Sequence, residues 1–250
     1  MTSRLTIEYD GSGFSGWARQ PGARTVQGSL EEALCIVLRV PAVPLTVAGR
    51  TDAGVHASGQ IASYAGEAVN PRSLNALLPD DVAVLACEPA AVGFDARRDA
   101  TSRAYRYRVL ARPERSALWA GQVWHWPAPA DVALLEACAA LLAGEHDFTA
   151  FTPAETYHVR FRRRVLTAYW QRCPADPSVL EFWIEADAFM RQMNRILVGT
   201  MIEVAAGRRT VESFAALLDG APRAAAGRTA PPPGLCLVGV GYGGKPVLDA

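Results

Sequence analysis

Between Pro113 and Pro129 the chain loses all hydrophobic periodicity while Pro113, Pro127 and Pro129 withdraw backbone donors, so no long helix or central strand is expected to cross this stretch. The fold is therefore expected in two halves, residues 1–112 and 113–250. The first half opens on Leu5–Tyr9, which alternates as a strand, and Val26–Leu38 follows with Leu30, Leu34, Val37 and Leu38 at helical spacing. Asn70 and Pro71 read as the cap and first turn of a short helix through Leu78, and Asp81–Cys87 reads as a strand. Tyr105, Tyr107 and Val109 then alternate with Arg106 and Arg108, giving a strand with one aromatic and one basic side. In the second half Asp131 caps an alanine- and leucine-rich helix ending near Gly144, Val165–Gln171 and Val179–Ala186 read as strands, and Met190–Ala206 is a helix closed by Gly207. A helix over Thr210–Leu218 and a last strand over Leu235–Val240 complete a mixed order that is not a repeating βαβ array. The class expected is α+β.

With 250 residues, about 50% of them hydrophobic, the chain can bury a sizeable core. No apolar run approaches the roughly 20 residues that span a bilayer. The first residues, Met1-Thr2-Ser3-Arg4-Leu5-Thr6-Ile7-Glu8, show neither the basic region nor the apolar stretch of a secretion signal, so a cytoplasmic protein is expected. Cys35, Cys87, Cys138, Cys173 and Cys236 are scattered, and they read as small core residues rather than metal ligands or a disulfide framework. His56, His125, His146 and His158 form no short ligand pair, so no metal is expected; His56 and His146 read as loop supports, and Trp124 and Trp126 as packing residues.

Chemistry concentrates in Ala48-Gly49-Arg50-Thr51-Asp52-Ala53-Gly54-Val55-His56-Ala57, a polar, glycine-flanked loop between the β-type runs Leu45–Ala48 and Gln60–Tyr64. It offers one carboxylate, Asp52, to solvent and ligand. Arg50, two residues earlier, is a cationic partner that would keep that carboxylate ionised, and an ionised, exposed aspartate is a nucleophile. Asp-Ala-Gly between strands is equally ordinary turn chemistry, in which Asp caps its own backbone. A competing motif, Gly11-Ser12-Gly13-Phe14-Ser15-Gly16, satisfies the dinucleotide-binding fingerprint, but Gln20-Pro21-Gly22 interposes a turn before the helix near Val26. These glycines read as a flexible turn.

The formal net charge is zero, and Lys245 is the only lysine among 25 basic residues. Positive charge is almost all arginine, which forks onto phosphates and stacks on bases. Arg97, Arg98, Arg103, Arg106 and Arg108 fall in one short span, and Arg160, Arg162, Arg163 and Arg164 in another. Such runs are either solvated faces or a nucleic-acid surface.

Gly49-Arg50-Thr51-Asp52-Ala53-Gly54-Val55-His56 resembles the catalytic loop of the tRNA pseudouridine synthase A family. The resemblance covers most of the chain in order: Ile7–Ser12 with Gly16-Trp17; Thr25-Val26-Gln27; Phe94–Arg97; Ser102–Tyr107; Gly144–Phe151; Ala188-Phe189-Met190 with Met193 and Arg195; and Gly234–Val238. It implies two related subdomains sharing a mainly antiparallel central sheet flanked by helices, the pseudouridine synthase fold. It also implies a cofactor-free isomerase that converts uridine to pseudouridine at positions 38, 39 and 40 of the tRNA anticodon arm and works as a homodimer. By the same resemblance Asp52 is the nucleophile, acting on either the uracil ring or the ribose. Arg50 enters the space left by the flipped nucleotide. Tyr105 stacks on uracil and offers a hydroxyl, and Arg195 ion-pairs with Asp52. Leu235 reads first as core and second as pocket lining. Arg97, Arg103 and the loop arginines Arg162, Arg163 and Arg164 are expected on phosphates. The competing class is a noncatalytic RNA-binding protein that keeps the fold and the arginine face.

Overall fold

The computed structural model describes residues 1–156 and 158–248. In chain order its elements are β1 (Thr2–Tyr9), α1 (Val26–Leu38), β2 (Thr46–Val47), β3 (His56–Ala65), α2 (Pro71–Asn75), β4 (Val82–Ala90), β5 (Ala100–Ala111), β6 (Trp124–Trp126), α3 (Val132–Ala140), β7 (Gly144–Asp147), β8 (Arg162–Cys173), β9 (Asp176–Ala186), α4 (Met193–Ala205), α5 (Val211–Ala215) and β10 (Leu235–Tyr242). Helix starts follow the sequence: Thr25 caps α1 by accepting from Gly28 N, Asn70 caps α2 with Pro71 behind it, and Asp131 caps α3 through Ala133 N and Leu134 N. Among the described residues no helix is long and apolar enough to cross a membrane.

Several boundaries differ from the sequence expectation for local reasons. Helix α4 begins at Met193 rather than Met190, because Gln192 takes a left-handed conformation (φ 59°) that helical propagation cannot pass. Helix α2 stops at Asn75, whose side-chain amide is turned onto β4, accepting from Val84 N at 2.8 Å and donating to Val84 O at 3.0 Å. The stretch after Thr210 is α5 followed by a 3-10 turn over Ala216–Leu218. Arg162, Arg163 and Arg164 are not loop residues: they open β8 and pair with Asp147, His146 and Glu145 of β7.

The chain forms two compact units. The first is Met1–Arg103 with Cys236–Val247, and the second is Ala104–Leu235 with Leu248. The changeover lies inside β5, and the proline-bearing stretch 113–129 belongs to the second unit. There β6 runs parallel to β5, and Trp124 and Trp126 are buried edge to face. In the first unit the strand order is β4-β1-β3-β10, with β2 also on β3; the pairings are antiparallel except for β3 with β10. Leu5, Ile7, Trp17, Leu30 and Leu34 fill its core. In the second unit the order is β5-β9-β8-β7, with β8 antiparallel to both β9 and β7. Phe148, Phe151, Phe182, Ile196 and Phe214 are fully buried there, each such side chain contributing about 1.5–3 kcal/mol. The chain is thus α+β with mainly antiparallel strands, as expected.

The two faces of β5 are as the alternation predicts, but the basic one is not presented to solvent. Arg108 donates from Nε to the buried Glu181 at 2.9 Å, Arg106 lies 3.8 Å from the same carboxylate, and Gln171 and Trp183 donate to its other oxygen. Burial by itself raises the Glu181 carboxyl, but the hydrogen bonds from Arg108 and Gln171 and the charges of Arg106 and Arg108 outweigh it, holding the group below the usual carboxylate value. Its stabilisation is therefore complete above the ordinary carboxylate pKa and is lost as pH falls through the lower folded-state value. Glu181→Gln is expected to destabilise the fold by about 1.5–3 kcal/mol at pH 7. In urea titrations that deficit should shrink as pH falls below the ordinary glutamate value of about 4.3, because the unfolded chain then takes up a proton that the folded carboxylate still refuses.

Candidate active site

The loop carrying Asp52 leaves β2, a strand of only two residues, so side chains and loop backbone must hold what the sheet does not. At its entrance Ala48 N donates to Ile61 O, while Ala48 O accepts two N–H groups from Arg103, Nε at 3.1 Å and Nη2 at 2.9 Å. Gln60, fully buried in β3, donates from Nε2 to Gly49 O at 2.7 Å and to Tyr9 OH at 3.3 Å. Tyr9 OH shares a 2.8 Å hydrogen bond with Thr51 Oγ1, and Thr51 O accepts from Trp17 N. Gly16 comes so near that a Cβ there would stand 2.9 Å from Thr51 O, and its φ of +96° suits glycine. At the exit Val55 N donates to Asp52 O, closing a turn through Gly54, whose φ is +76°. Asp52 is half-buried in this frame, and Arg50 is exposed.

His56 supports the exit of the loop, as the sequence suggests. Its Nδ1 lies 3.1 Å from both Gly11 N and Asp10 Oδ1, so the ring accepts from Gly11 when Nδ1 is bare and donates to Asp10 when it carries a proton. Burial opposes ionisation of Asp10, but the Ser12 backbone N–H and hydroxyl and the His56 ring hold its carboxyl below the usual value. The glycine-rich turn around Asp10 has no phosphate-binding role at α1. Val26, Gln27, Gly28 and Ser29 donate their N–H groups to Gly16 O, Trp17 O, Thr25 Oγ1 and Thr25 O, which leaves that helix start with no donor for a pyrophosphate.

The second unit positions Tyr105, Arg195 and Leu235. Tyr105 is buried on β5, 7% exposed, with its ring edge-on to Phe189 at 5.0 Å. Arg195 lies in the first turns of α4, where its Nε donates to Ala230 O at 2.8 Å while its own carbonyl accepts from Ala230 N at 3.0 Å. Leu235 is buried at the start of β10, behind Gly234; a Cβ on Gly234 would meet the Tyr107 ring at 2.5 Å, and the Tyr107 hydroxyl donates to Pro231 O at 2.6 Å.

The arginines expected on RNA are used in different ways. Arg103 is a clamp on backbone carbonyls, also reaching Ala100 O and Arg97 O, and not a free phosphate contact. Arg97 is exposed. Along β8, Arg162 and Arg164 point to one side and Arg163 to the other. Arg162 pairs with Glu145 at 2.8 Å. Arg163 is half-buried, donates from Nη1 to Arg162 O at 2.7 Å, and its guanidinium pKa is lowered by burial, with Asp187 opposing that shift. Sequence reasoning missed Gln60, Tyr9 and Thr51 as loop supports. The signal for Gln60 was an amide at the head of the β-type run Gln60–Tyr64. Replacing Arg103 by Met is expected to cost about 1.5–3 kcal/mol of stability, because it removes charged donors from a fixed carbonyl. Amide hydrogen exchange should accelerate over residues 48–55 first.

Residues 138–243 match the sequence profile of a family described as tRNA pseudouridine synthase. Over 99% of its length the chain is 44% identical to the tRNA pseudouridine synthase A of Frankia casuarinae, covering 91% of that protein. It is 38% identical to the protein of the same name from Geobacillus sp. (strain WCH70), over 97% of the chain and 99% of the relative, and 41% identical to that of Myxococcus xanthus, over 96% and 91%.

Proposed function

The chain belongs to the tRNA pseudouridine synthase A family and is an isomerase of uridine in tRNA, and from that premise we propose that it acts on uridines 38, 39 and 40 of the anticodon stem-loop with Asp52 as nucleophile. The observation that carries the assignment of Asp52 is its setting. It is the only acid between Ala48 and Ala57, half-exposed on a loop whose backbone is held by Arg103, Gln60 and Trp17 and whose Thr51 side chain is held by Tyr9. A carboxylate that must form and release a covalent bond needs a fixed approach, and preorganised support provides it.

Isomerisation breaks the N-glycosidic bond, turns the uracil and forms a carbon–carbon bond to the same ribose. Nothing is added or lost overall, and no cofactor is required. Asp52 attacks the uracil ring or the ribose carbon, and its departure regenerates the carboxylate. Arg50, exposed on the same loop, is suited to fill the gap left in the stem when the target nucleotide flips out. Tyr105 stacks on the uracil and carries a hydroxyl for proton transfer; its ring, already fixed against Phe189, supports that role. Arg195 pairs with Asp52, and Leu235 lines the base pocket. Arg97 and the β8 arginines hold phosphates, while Arg103 serves the loop. The enzyme works in the cytoplasm as a homodimer, a state that the half-exposed stacked pair Tyr169 and Trp183 on the second unit's sheet supports as a surface for a second copy.

Asp52→Asn is nearly isosteric and removes only charge and nucleophilicity. It is expected to abolish pseudouridine formation while tRNA affinity largely persists, both measured on one preparation; appreciable turnover by the variant would refute the assignment, and a noncatalytic RNA-binding protein would show no turnover in wild type either. Tyr105→Phe should lower the single-turnover rate by about 10²–10⁴, and Arg195→Met should slow it as well. Because both act in one catalytic unit, the double variant should fall short of the product of the single losses. Rate losses that multiply would separate the two residues.

A further inference from the structure

In the second unit two guanidinium groups lie on indole faces and make no side-chain hydrogen bond or ion pair with the described residues. Arg228 sits 4.7 Å from the centroid of Trp124 and 5.2 Å from that of Trp126, and Arg208 lies 5.5 Å from the Trp126 centroid. Both arginines are exposed, whereas both tryptophans are buried. The positions are built. Gly227 N donates to Thr200 Oγ1, Arg228 N to Glu203 Oε1 and Ala230 N to Arg195 O, so the segment bearing Arg228 is tied to α4 at three points. Gly199 of α4 admits this segment, since a Cβ there would collide with Arg228 O. Arg208 follows the left-handed Gly207 (φ +69°) that closes α4, and its N–H donates to Glu203 O at 2.9 Å.

The carboxylate of Glu203 is met by other arginines: Arg209 lies 3.6 Å from Glu203 Oε2, and Arg223, which reaches Thr229 Oγ1, feels the same charge, whereas Arg208 and Arg228 touch Glu203 only through their backbone N–H groups. Asp131, whose N–H reaches the end of α4 at Ala205, has its carboxylate engaged at the α3 cap. Stacking on an aromatic face limits the rotamer freedom of an arginine and leaves its N–H edge outward, the arrangement that suits a phosphate oxygen pair.

We propose that Arg208 and Arg228, mounted on Trp126 and Trp124, form a docking surface for the phosphate backbone of RNA. The inference rests on the tRNA reading for its polyanion, and it names a contact that fixes the backbone without reading bases. Equilibrium binding of unmodified tRNA across a salt series tests it. Arg208→Gln with Arg228→Gln should weaken binding and lower the log-log salt slope by about 0.7–0.9 per lost contact, while Arg208→Lys with Arg228→Lys should keep most of that slope. If the double Gln chain does not fold, Arg208→Gln alone carries the same test. Hydrogen exchange of the wild-type chain with and without tRNA should protect residues 207–209 and 226–229. A wild-type salt slope in the folded Gln variants, or no protection of those amides, overturns the proposal. So does displacement of polyglutamate but not tRNA by the Gln changes, which would assign the surface to an acidic protein. Wild-type chain that binds tRNA through this surface yet forms no pseudouridine would instead refute the catalytic reading alone.

Discussion

The path of the Asp52 loop depends on the carbonyl of Ala48. Strand β2 contributes two residues to the sheet, too few to fix the direction of the chain that follows, and a polar loop with two glycines has many alternatives to its native path. Arg103 removes that freedom by placing two charged donors on one oxygen, and Gln60 places one amide donor on the Gly49 carbonyl one residue on. Both supports come from strands, where backbone position is already determined, so the precision of the sheet passes to a loop that has none of its own. Tyr9 and Thr51 extend the same network. A buried network of this kind is costly when broken, since each orphaned donor or acceptor stands in low dielectric.

What could be read from the sequence divides along physical lines. Caps and amphipathic runs were legible because they rest on local rules: Thr25, Asn70 and Asp131 satisfy the N–H groups next to them whatever the rest of the chain does. The Asp52 loop was legible as a polar break between two apolar runs. The strand status of Arg162, Arg163 and Arg164 was not, because their partner β7 is Gly-Glu-His-Asp, a strand with no hydrophobic alternation to betray it. Pairing between two polar edges is a tertiary fact. The stop at Gln192 and the turning of Asn75 onto Val84 are of the same kind. The proline-bearing 113–129 stretch looks like a seam in the sequence, yet it supplies Trp124 and Trp126 to the core of the second unit, since prolines exclude a long element but not a three-residue strand.

The arginines show why counts of charge say little about partners. Read as a run, Arg97 to Arg108 is a basic band; read in space, Arg103 is a backbone clamp and Arg106 and Arg108 neutralise Glu181. These side chains stabilise the fold and have little left for a polyanion. Arg208, near the end of α4, and Arg228, isolated in sequence and flanked by glycine and threonine, attract no notice as a motif, yet both are exposed with their guanidinium groups over indole rings. A protein of zero net charge can thus meet a highly charged substrate, because the field at contact distance is set by the few cations without a protein acceptor. The many that are paired cancel within about a Debye length.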